Sequence, residues 1–257
     1  VGEVAGLLEI DDILERYPPT ISAGQAQRTS LARALVRRAP ITLLDEPMSQ
    51  LEPQLRAILR ARIKDYLIAH RMTTVFVTHD QTEAIALADR IAVMEQGVLQ
   101  QYAPPTSLKE EPANLFVASF IGEPPMNVVD AHLVDGPALD ALALDGSVAF
   151  RVPLPAATAM ALAQGDRFKL GIRPHRIRLG EPHGLSATVL SNQWLGDQLH
   201  LALDLGGCFL VAVAHRRIDA PIGSTVAVTL PPAAMHLFDA ESGNAVLHGL
   251  HAREAVA

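Results

Sequence analysis

The stretch Ile41-Thr42-Leu43-Leu44-Asp45-Glu46-Pro47 decides the fold, together with Thr74-Val75-Phe76-Val77-Thr78-His79-Asp80. Each stretch begins with an apolar run of strand length, and nearly continuous apolarity is typical of strands buried on both faces of a parallel sheet. Between them, residues 54–69 place their apolar side chains on one stripe of a helix. Strand, helix, strand is the crossover unit of α/β proteins, so the sequence predicts a parallel pair of strands.

Polar side chains follow each predicted strand directly. Asp45 and Glu46 come after the first strand, and His79 comes after the second. Parallel strands deliver their carboxyl ends to one edge, so we expect these side chains to lie close together. There Asp45 can hold Mg²⁺ through water, Glu46 can polarise an attacking water, and His79 can contact a γ-phosphate. The alternatives are that Asp45 and Glu46 form a solvated acidic turn and that His79 is structural. Asp80 is predicted to cap the helix that runs through Ala88.

A capping box stands upstream, in Ile21-Ser22-Ala23-Gly24-Gln25. The Ser22 oxygen is expected to accept a free backbone N–H while Gln25 reaches back, so a helix should begin at Ser22. Its first turn offers unpaired N–H groups and the positive end of the helix dipole, which suit a phosphate. Taken alone, the segment is more typical of an ordinary capped surface helix, because capping boxes are common.

The overall composition excludes several classes of function. The chain has 257 residues, 49% of them hydrophobic, and a net charge of −7, which gives no electrostatic reason to expect nucleic acid as a partner. No apolar run approaches the roughly 20 residues that span a bilayer, and Val1-Gly2-Glu3 does not begin a secretion signal. We therefore expect peripheral membrane contact only, and the single Cys208 is compatible with the cytosol. The missing initiator Met suggests a fragment or a processed product.

The texture of the sequence changes after residue 122. A tight turn is predicted at residues 95–97 and a helix from Pro105 to Phe120 that ends at Gly122; Glu123-Pro124-Pro125 then breaks the chain, giving domains of residues 1–122 and 123–257. Short strands are predicted at residues 168–172, 187–190, 198–205, 209–214 and 226–230. A hairpin turn is predicted at Gly206-Gly207. This spacing predicts a small barrel or sandwich.

In order and spacing, these elements resemble the ATPase subunits of ABC transporters. Ser22-Ala23-Gly24-Gln25 stands where that family has its Leu-Ser-Gly-Gly-Gln signature. Asp45 and Glu46 match the Walker B aspartate and the catalytic glutamate, His79 matches the switch histidine, and Glu52 ends the stretch that matches the D-loop. The resemblance makes Glu46 and His79 catalytic and Asp45 a metal ligand. It assigns Ser22, Ala23, Gly24, Gln25 and Glu52 to the partner subunit's ATP.

The tail resembles that of the importers for sugars and sugar phosphates, the maltose and glycerol-phosphate importer ATPases among them. The resemblance rests on Phe120-Ile121-Gly122-Glu123-Pro124-Pro125-Met126-Asn127, Gly171-Ile172-Arg173-Pro174-His175 and His236-Leu237-Phe238-Asp239. It implies the rear part of a P-loop-type ABC nucleotide-binding domain, followed by a small all-β domain of oligonucleotide-binding-like (OB-like) fold with a regulatory role.

The same resemblance implies partners and a location. ATP with Mg²⁺ would lie between two ATPase subunits in a head-to-tail homodimer or heterodimer. Two membrane permease subunits would bind the dimer at the cytoplasmic face of the inner membrane, and a solute-binding protein would deliver a carbohydrate, polyol or sugar phosphate. An ABC protein of DNA repair or translation is disfavoured by the acidic charge balance and the importer-like tail.

The sequence contains no G-x-x-x-x-G-K-[ST] phosphate loop. We therefore expect this chain alone not to hydrolyse ATP appreciably. The family pattern is also broken at Ala23, which replaces a Gly, and at Glu52, which replaces an Asp. An alternative is a non-hydrolytic regulatory or partner subunit that completes another ATPase's site. In the tail, Arg173, His175, Arg176 and Arg178 could bind an oxyanion, but such a basic run is more typical of a solvated face.

Overall fold

The computed structural model describes residues 1–134, 138–142, 145–154, 159, 162 and 167–250. The chain divides into two compact units, Val1–Ile91 and Ala92–Ala257. The first is mixed α/β and the second is rich in strands, which confirms the predicted fold classes. Among the described residues, every helix is too short or too polar to cross a membrane.

The first unit contains the predicted crossover. Its helices are α1 (Gly2–Leu7), α2 (Ala23–Val36), α3 (Pro53–Ala69) and α4 (Gln81–Leu87), its strands are β1 (Ile41–Asp45) and β2 (Thr73–Val77), and single 3-10 turns cover Asp11–Ile13 and Pro18–Thr20. Strands β1 and β2 are parallel, with Leu43 beside Val75 and Asp45 beside Val77. The carboxyl ends of the two strands therefore meet at one edge, as predicted.

Helices α2 and α4 begin at the predicted residues. Ser22 accepts the Gln25 backbone N–H at 3.3 Å, and the Gln25 side chain accepts the Ser22 N–H at 2.9 Å, which is the capping box read from the sequence. The Asp80 carboxylate caps α4 by accepting the N–H groups of Thr82 and Glu83. Helices α1, α2 and α3 share one core with β1, built around Leu8, Leu35, Leu44, Met48, Leu59 and Ile63.

The sheet of the first unit is buried on one face only, so the prediction of burial on both faces is wrong. Leu44 belongs to the helix-covered core, and Phe76 packs against it. The other face exposes four large apolar side chains, those of Ile41, Leu43, Val75 and Val77. No described element of this unit covers them. Continuous apolarity in these strands thus gives one packed face and one solvent-exposed apolar face.

The second unit opens with a hairpin and two short helices. Strands β3 (Ile91–Glu95) and β4 (Val98–Ala103) pair around Gln96 and Gly97, whose φ angles of 48° and 80° confirm the predicted tight turn. The single helix predicted from Pro105 to Phe120 is wrong, because the structure has α5 (Pro105–Glu110) and α6 (Leu115–Phe120). Pro112 disfavours helical backbone at Glu111, and the Asn114 side chain starts α6 by accepting the Val117 N–H at 2.9 Å.

Two antiparallel sheets form the rest of this unit. The strands are β5 (Asn127–Val134), β6 (Ala138–Leu142), β7 (Val148–Pro153), β8 (Arg167–Ile172), β9 (Arg178–Leu179), β10 (Leu185–Trp194), β11 (Leu199–Leu205), β12 (Cys208–Ala214), β13 (Thr225–Thr229), β14 (Met235–Asp239) and β15 (Ala245–His248), with 3-10 turns at Pro174–Arg176 and Pro232–Ala234. One sheet has the order β12-β11-β10-β13-β9 and the other β15-β14-β8-β5-β6-β7. Both contribute to one core.

All five strands predicted in the tail are present, within a few residues of the predicted bounds. Gly206 and Gly207 form the predicted turn between β11 and β12, with φ angles of 58° and 88°. Strands β5, β6, β7, β14 and β15 were not predicted. They complete the six-stranded sheet together with β8.

Residues 104–122 dock onto the β-rich part of the second unit through Arg173. This buried guanidinium donates to the carbonyl oxygens of Lys109, Ala118 and Ile121. The backbone adds a bond from the Leu115 N–H to the Gly243 oxygen at 2.9 Å. These bonds group the segment with the strands that follow it. The domain boundary predicted after Gly122 stays a prediction.

Candidate functional site

Glu46 and His79 are brought together at the carboxyl ends of β1 and β2. One Glu46 carboxylate oxygen, Oε1, lies 2.7 Å from His79 Nδ1 and accepts the His79 backbone N–H at 3.0 Å. The Glu46 N–H donates to the Val77 oxygen at 2.9 Å, which ties the end of β1 to β2. Glu46 itself has a φ of 45°, in the left-handed region that few non-glycine residues occupy. Strand pairing and this backbone turn therefore place the pair.

The electrostatics of the pair favour a cationic imidazole. The hydrogen bond with Glu46 raises the pKa of His79, and the negative charge of Glu46 adds to the effect. The ring is mostly solvent-exposed, with 78% of the side-chain surface accessible, so it is open to a ligand. Behind it, burial opposes ionisation of Asp80, but N–H groups of Glu83 and Thr82 outweigh burial and lower its pKa.

An acidic pair beneath His79 is fixed by one cation that sequence reasoning missed. Arg56 of α3 lies 3.3 Å from the Asp80 carboxylate and 3.7 Å from that of buried Glu83. Thr78 donates its hydroxyl to Glu83 at 2.8 Å. The sequence places Arg56 in the first turn of a predicted helix, but only the three-dimensional structure shows that it contacts Asp80 and Glu83.

Ser22, Ala23, Gly24 and Gln25 form the exposed start of α2. Ser22 and Ala23 are solvent-exposed, so the methyl group of Ala23 meets no obstacle within the first unit. Gly24 packs closely, because a Cβ there would lie 3.3 Å from the Gln50 carbonyl oxygen. A side chain at position 24 would thus press on the loop after β1. This intrachain packing is a reason for glycine that does not depend on a nucleotide.

Asp45 and Glu52 lie at opposite ends of the same loop. Asp45 ends β1 on the exposed face of the sheet. Glu52 occupies the N-cap position of α3, where its side chain makes no capping hydrogen bond among the described residues. Aspartate or serine at an N-cap accepts a free N–H of the first turn, and the longer Glu side chain does not. An N-cap role is thus one structural reason for the shorter Asp of the family pattern.

The basic run of the tail is largely satisfied internally. Arg173 is buried, and this burial lowers its pKa to about 10. Arg176 forms a two-pronged bond with Glu110, both oxygens lying 3.0 Å away, and Arg178 lies 3.5 Å from Glu181. An oxyanion site built on these residues gains no support. The described residues also contain no cluster of three or more His, Cys, Asp or Glu side chains suited to a metal ion.

Comparison with known families agrees with this architecture. Residues 2–49 match the ABC transporter family, residues 122–177 match the MalK OB fold domain, and residues 170–238 match the TOBE domain. A crossover unit with a carboxylate-histidine pair at its strand ends, followed by a β-rich unit of this kind, defines the class. This class consists of the rear part of an ABC nucleotide-binding domain followed by an OB-like C-terminal domain.

Individual relatives narrow the family. The chain is 40% identical to the xylose/arabinose import ATP-binding protein XacJ of Haloferax volcanii, over 99% of this chain and 68% of that protein. It is 38% identical to the sn-glycerol-3-phosphate import ATP-binding protein UgpC of Yersinia pestis, over 95% of this chain and 67% of that protein. The chain thus spans about two thirds of the length of these relatives. It belongs to the family of ABC importer ATP-binding proteins, which are ATPases.

Proposed function

We propose that the chain is part of an ATP-hydrolysing subunit that energises import of a carbohydrate, polyol or sugar phosphate. The observation that carries the proposal is the Glu46–His79 pair at the carboxyl edge of β1 and β2, next to Asp45. The names of XacJ and UgpC support the solute class. Their family supports two membrane permease subunits as partners at the cytoplasmic face of the membrane. A solute-binding protein would act indirectly, and nucleic acid is not a proposed partner.

Within the chain, Glu46 is the proposed general base. One of its carboxylate oxygens is held by the ring and the backbone N–H of His79, so the other can accept a proton from an attacking water. His79 would orient that water and meet the γ-phosphate, and the raised pKa of its ring favours the positive charge that suits a phosphate. Carboxylate and imidazole thus have separate roles, fixed by their shared hydrogen bond.

Asp45 is the proposed residue for Mg²⁺. The exposed carboxylate at the end of β1 fits this ion, which keeps several waters and takes only one or two protein carboxylates beside phosphate oxygens. Bound there, Mg²⁺ would neutralise phosphate charge. The residues of the chain would contribute one anionic ligand, and the rest of the coordination would come from water and nucleotide.

Ser22, Ala23, Gly24, Gln25 and Glu52 are proposed to act on the ATP of a partner subunit. The exposed start of α2 offers N–H groups and the positive dipole end to a phosphate, which is what a contact in trans requires. A head-to-tail dimer, with identical or different subunits, follows from this assignment. The alternative is that the chain only completes another ATPase's site and is itself non-hydrolytic, which the residues Ala23 and Glu52 favour.

A mixed dimer tests the proposal. The chain alone should show no appreciable ATP turnover. Mixed with a complete family ATPase whose own signature serine is replaced by Arg, it should restore turnover, because it supplies an intact signature to the partner's nucleotide. Ser22→Arg in the chain should abolish the rescue, whereas Ser30→Met on the same helix should not. Absence of any rescue would contradict the proposed action on a partner's ATP, and robust turnover by the chain alone would contradict both its expected inactivity in isolation and the non-hydrolytic alternative.

The roles of Ala23 and Glu52 are tested in the same assembly. If they weaken the site in trans, Ala23→Gly with Glu52→Asp should raise the rescued turnover. Glu46→Gln serves as the control for that site, because Glu46 serves the other nucleotide and its loss should leave the rescue in place. An unchanged rate in the double variant would show that neither substitution impairs the chain.

A further inference from the structure

Gln27 of α2 ties the signature helix to the loop that follows β1. Its amide nitrogen Nε2 donates to the Glu46 carbonyl oxygen at 2.9 Å and to the Ser49 hydroxyl at 3.0 Å. Its amide oxygen accepts the Gln50 backbone N–H at 2.9 Å. Both ends of one side chain are therefore engaged with the loop, and the bond to Glu46 is partly buried. Gln27 lies outside the positions that matched the family's functional residues.

Glu46 depends on such support because its backbone is in an uncommon conformation. A positive φ at a glutamate carries a strain of about 1 kcal/mol or more and persists only where neighbouring groups impose it. Its N–H donates to the Val77 oxygen, while its carbonyl oxygen accepts from Gln27 at 2.9 Å, from the Ser49 hydroxyl at 3.1 Å and from the Ser49 N–H at 3.3 Å. This backbone aims the carboxylate at His79. Gln27 provides the shortest of the three hydrogen bonds to this carbonyl oxygen, so its loss weakens the support of the backbone that directs the carboxylate.

An amide is the side chain that fits this position. The Glu46 carbonyl oxygen accepts a hydrogen bond from Gln27 and the Gln50 N–H donates one to it, and one neutral amide can make both. A glutamate would place negative charge against a carbonyl oxygen, and a lysine would offer no acceptor. Close packing of Gly24 against the Gln50 oxygen gives α2 a second point of contact with the same loop. The start of α2 and the loop are thus coupled at two points.

We propose that Gln27 is a positioning residue that holds Glu46 in place for His79 and transmits displacement of the signature, Ser22 to Gln25, to the Glu46–His79 pair. Engagement of a partner's nucleotide at the start of α2 would in this way reach the hydrolytic groups of the same chain. The transmission rests on the proposed function. The positioning of Glu46 by Gln27 is a property of the isolated chain and does not depend on the proposed function.

Hydrogen exchange in the full 257-residue chain tests the positioning. Gln27→Met keeps the length of the side chain but loses all three hydrogen bonds. The amides of Gln50 and His79 should then exchange roughly five- to tenfold faster, because each loses the acceptor that Gln27 provides or positions. Gln27→Glu keeps the acceptor, so only the His79 amide should speed up. Ser30→Met, on the exposed side of the same helix, should change neither.

The hydrogen-exchange rates of Gln50 and His79 test whether Gln27 positions Glu46, and this test requires no ATP. A folded Gln27→Met chain with unchanged exchange at His79 would overturn it. If that variant fails to fold, Gln27→Glu provides the same decision, since slow exchange at His79 in this variant would overturn the role as well.

The mixed dimer tests the transmission separately. Adding ATP and the signature-disabled partner should alter exchange at His79 in the wild-type chain and not in Gln27→Met. An equal ATP effect in both chains would overturn the transmission. If neither rescue of turnover nor any ATP effect is seen with the wild-type chain, the proposed function and the transmission fail, and the positioning stands or falls on the isolated chain alone.

Discussion

Replacing Arg173 with Met should strongly destabilise the β-rich unit. The guanidinium makes four hydrogen bonds to three backbone carbonyls, with distances of 3.1 and 3.0 Å to Lys109, 3.0 Å to Ala118, and a further short contact to Ile121. Met has a similar length but no donor. The variant would leave the carbonyls between α5 and Gly122 without their charged partner.

The magnitude follows from two opposing contributions. Hydrogen bonds to a charged group contribute about 1.5–3 kcal/mol each, so four give roughly 6–12 kcal/mol before costs. Burying the guanidinium costs several kcal/mol, and the same burial lowers its pKa to about 10. Arg173→Met leaves three carbonyl oxygens without this donor at about 1–3 kcal/mol each, and part of this cost is offset because the charge is no longer buried, so the net loss is about 3–5 kcal/mol. We expect this loss for Arg173→Met, a large part of the usual stability of about 5–15 kcal/mol.

Urea unfolding followed by the fluorescence of Trp194, the only tryptophan, measures the change in the β-rich unit. Arg176→Met is the matched control, because that exposed ion pair with Glu110 should contribute about 1 kcal/mol or less. Hydrogen exchange should also show faster opening of α5 and α6. A free energy of unfolding for Arg173→Met within about 1 kcal/mol of the control would refute the reasoning.

Three further predictions concern single groups. Glu46→Gln should bring the pKa of His79 down toward its ordinary value, as measured by NMR titration of the ring. Because the folded-state pKa is raised, the pair stabilises below the unfolded-state pKa and loses this effect as the pH rises through the folded-state pKa, so the loss on mutation should be larger at about pH 6 than at about pH 9. Glu52→Asp should raise the free energy of unfolding by about 0.5–1 kcal/mol by capping α3, and Glu52→Gln should not; equal urea midpoints would contradict this. Burial lowers the pKa of His236 from 6.5 to about 4. Its contribution to the free energy of unfolding should therefore be complete above about pH 6.5 and fall by roughly 3 kcal/mol as the pH drops to about 4. His236→Phe should flatten this pH dependence, and equal pH dependence in the variant and the wild-type chain would contradict the prediction.

The sequence predicts the first unit well where local chemistry decides the structure. Ser22 with Gln25, and Asp80, carry their capping bonds within one turn, so both helix starts can be read directly. In the tail, Gly206 and Gly207 mark a hairpin for the same reason. Strand β5 lacks such a marker, and the turn at Gly243 between β14 and β15 was not predicted. Strands β5 and β14 each pair with β8 through residues far apart in the chain, such as Asn127 and Met235 beside Ile172, and β15 pairs with β14 alone.

The site divides in the same way. The proximity of Glu46 and His79 could be predicted, because parallel strands end at a common edge. The roles of Gln27 and Arg56 could not be predicted from strand order, because each contacts residues distant in sequence. Gln27 lies 19 residues before Glu46, and Arg56 lies 24 residues before Asp80. The basic run in the tail misleads for a related reason. Whether Arg173 faces solvent or a cluster of carbonyls is set by a helix about 55 residues upstream.

Asp45 shares the exposed face of the first sheet with Ile41, Leu43, Val75 and Val77. Whatever shields those apolar groups also strips water from the carboxylate beside them. Opposite charges about 4 Å apart attract by about 1 kcal/mol in water and about 4 kcal/mol at an effective dielectric constant of 20. If Asp45 holds Mg²⁺ as proposed, the affinity for this ion should change when the apolar face is covered, and titrating the ion would report whether the face is open or covered.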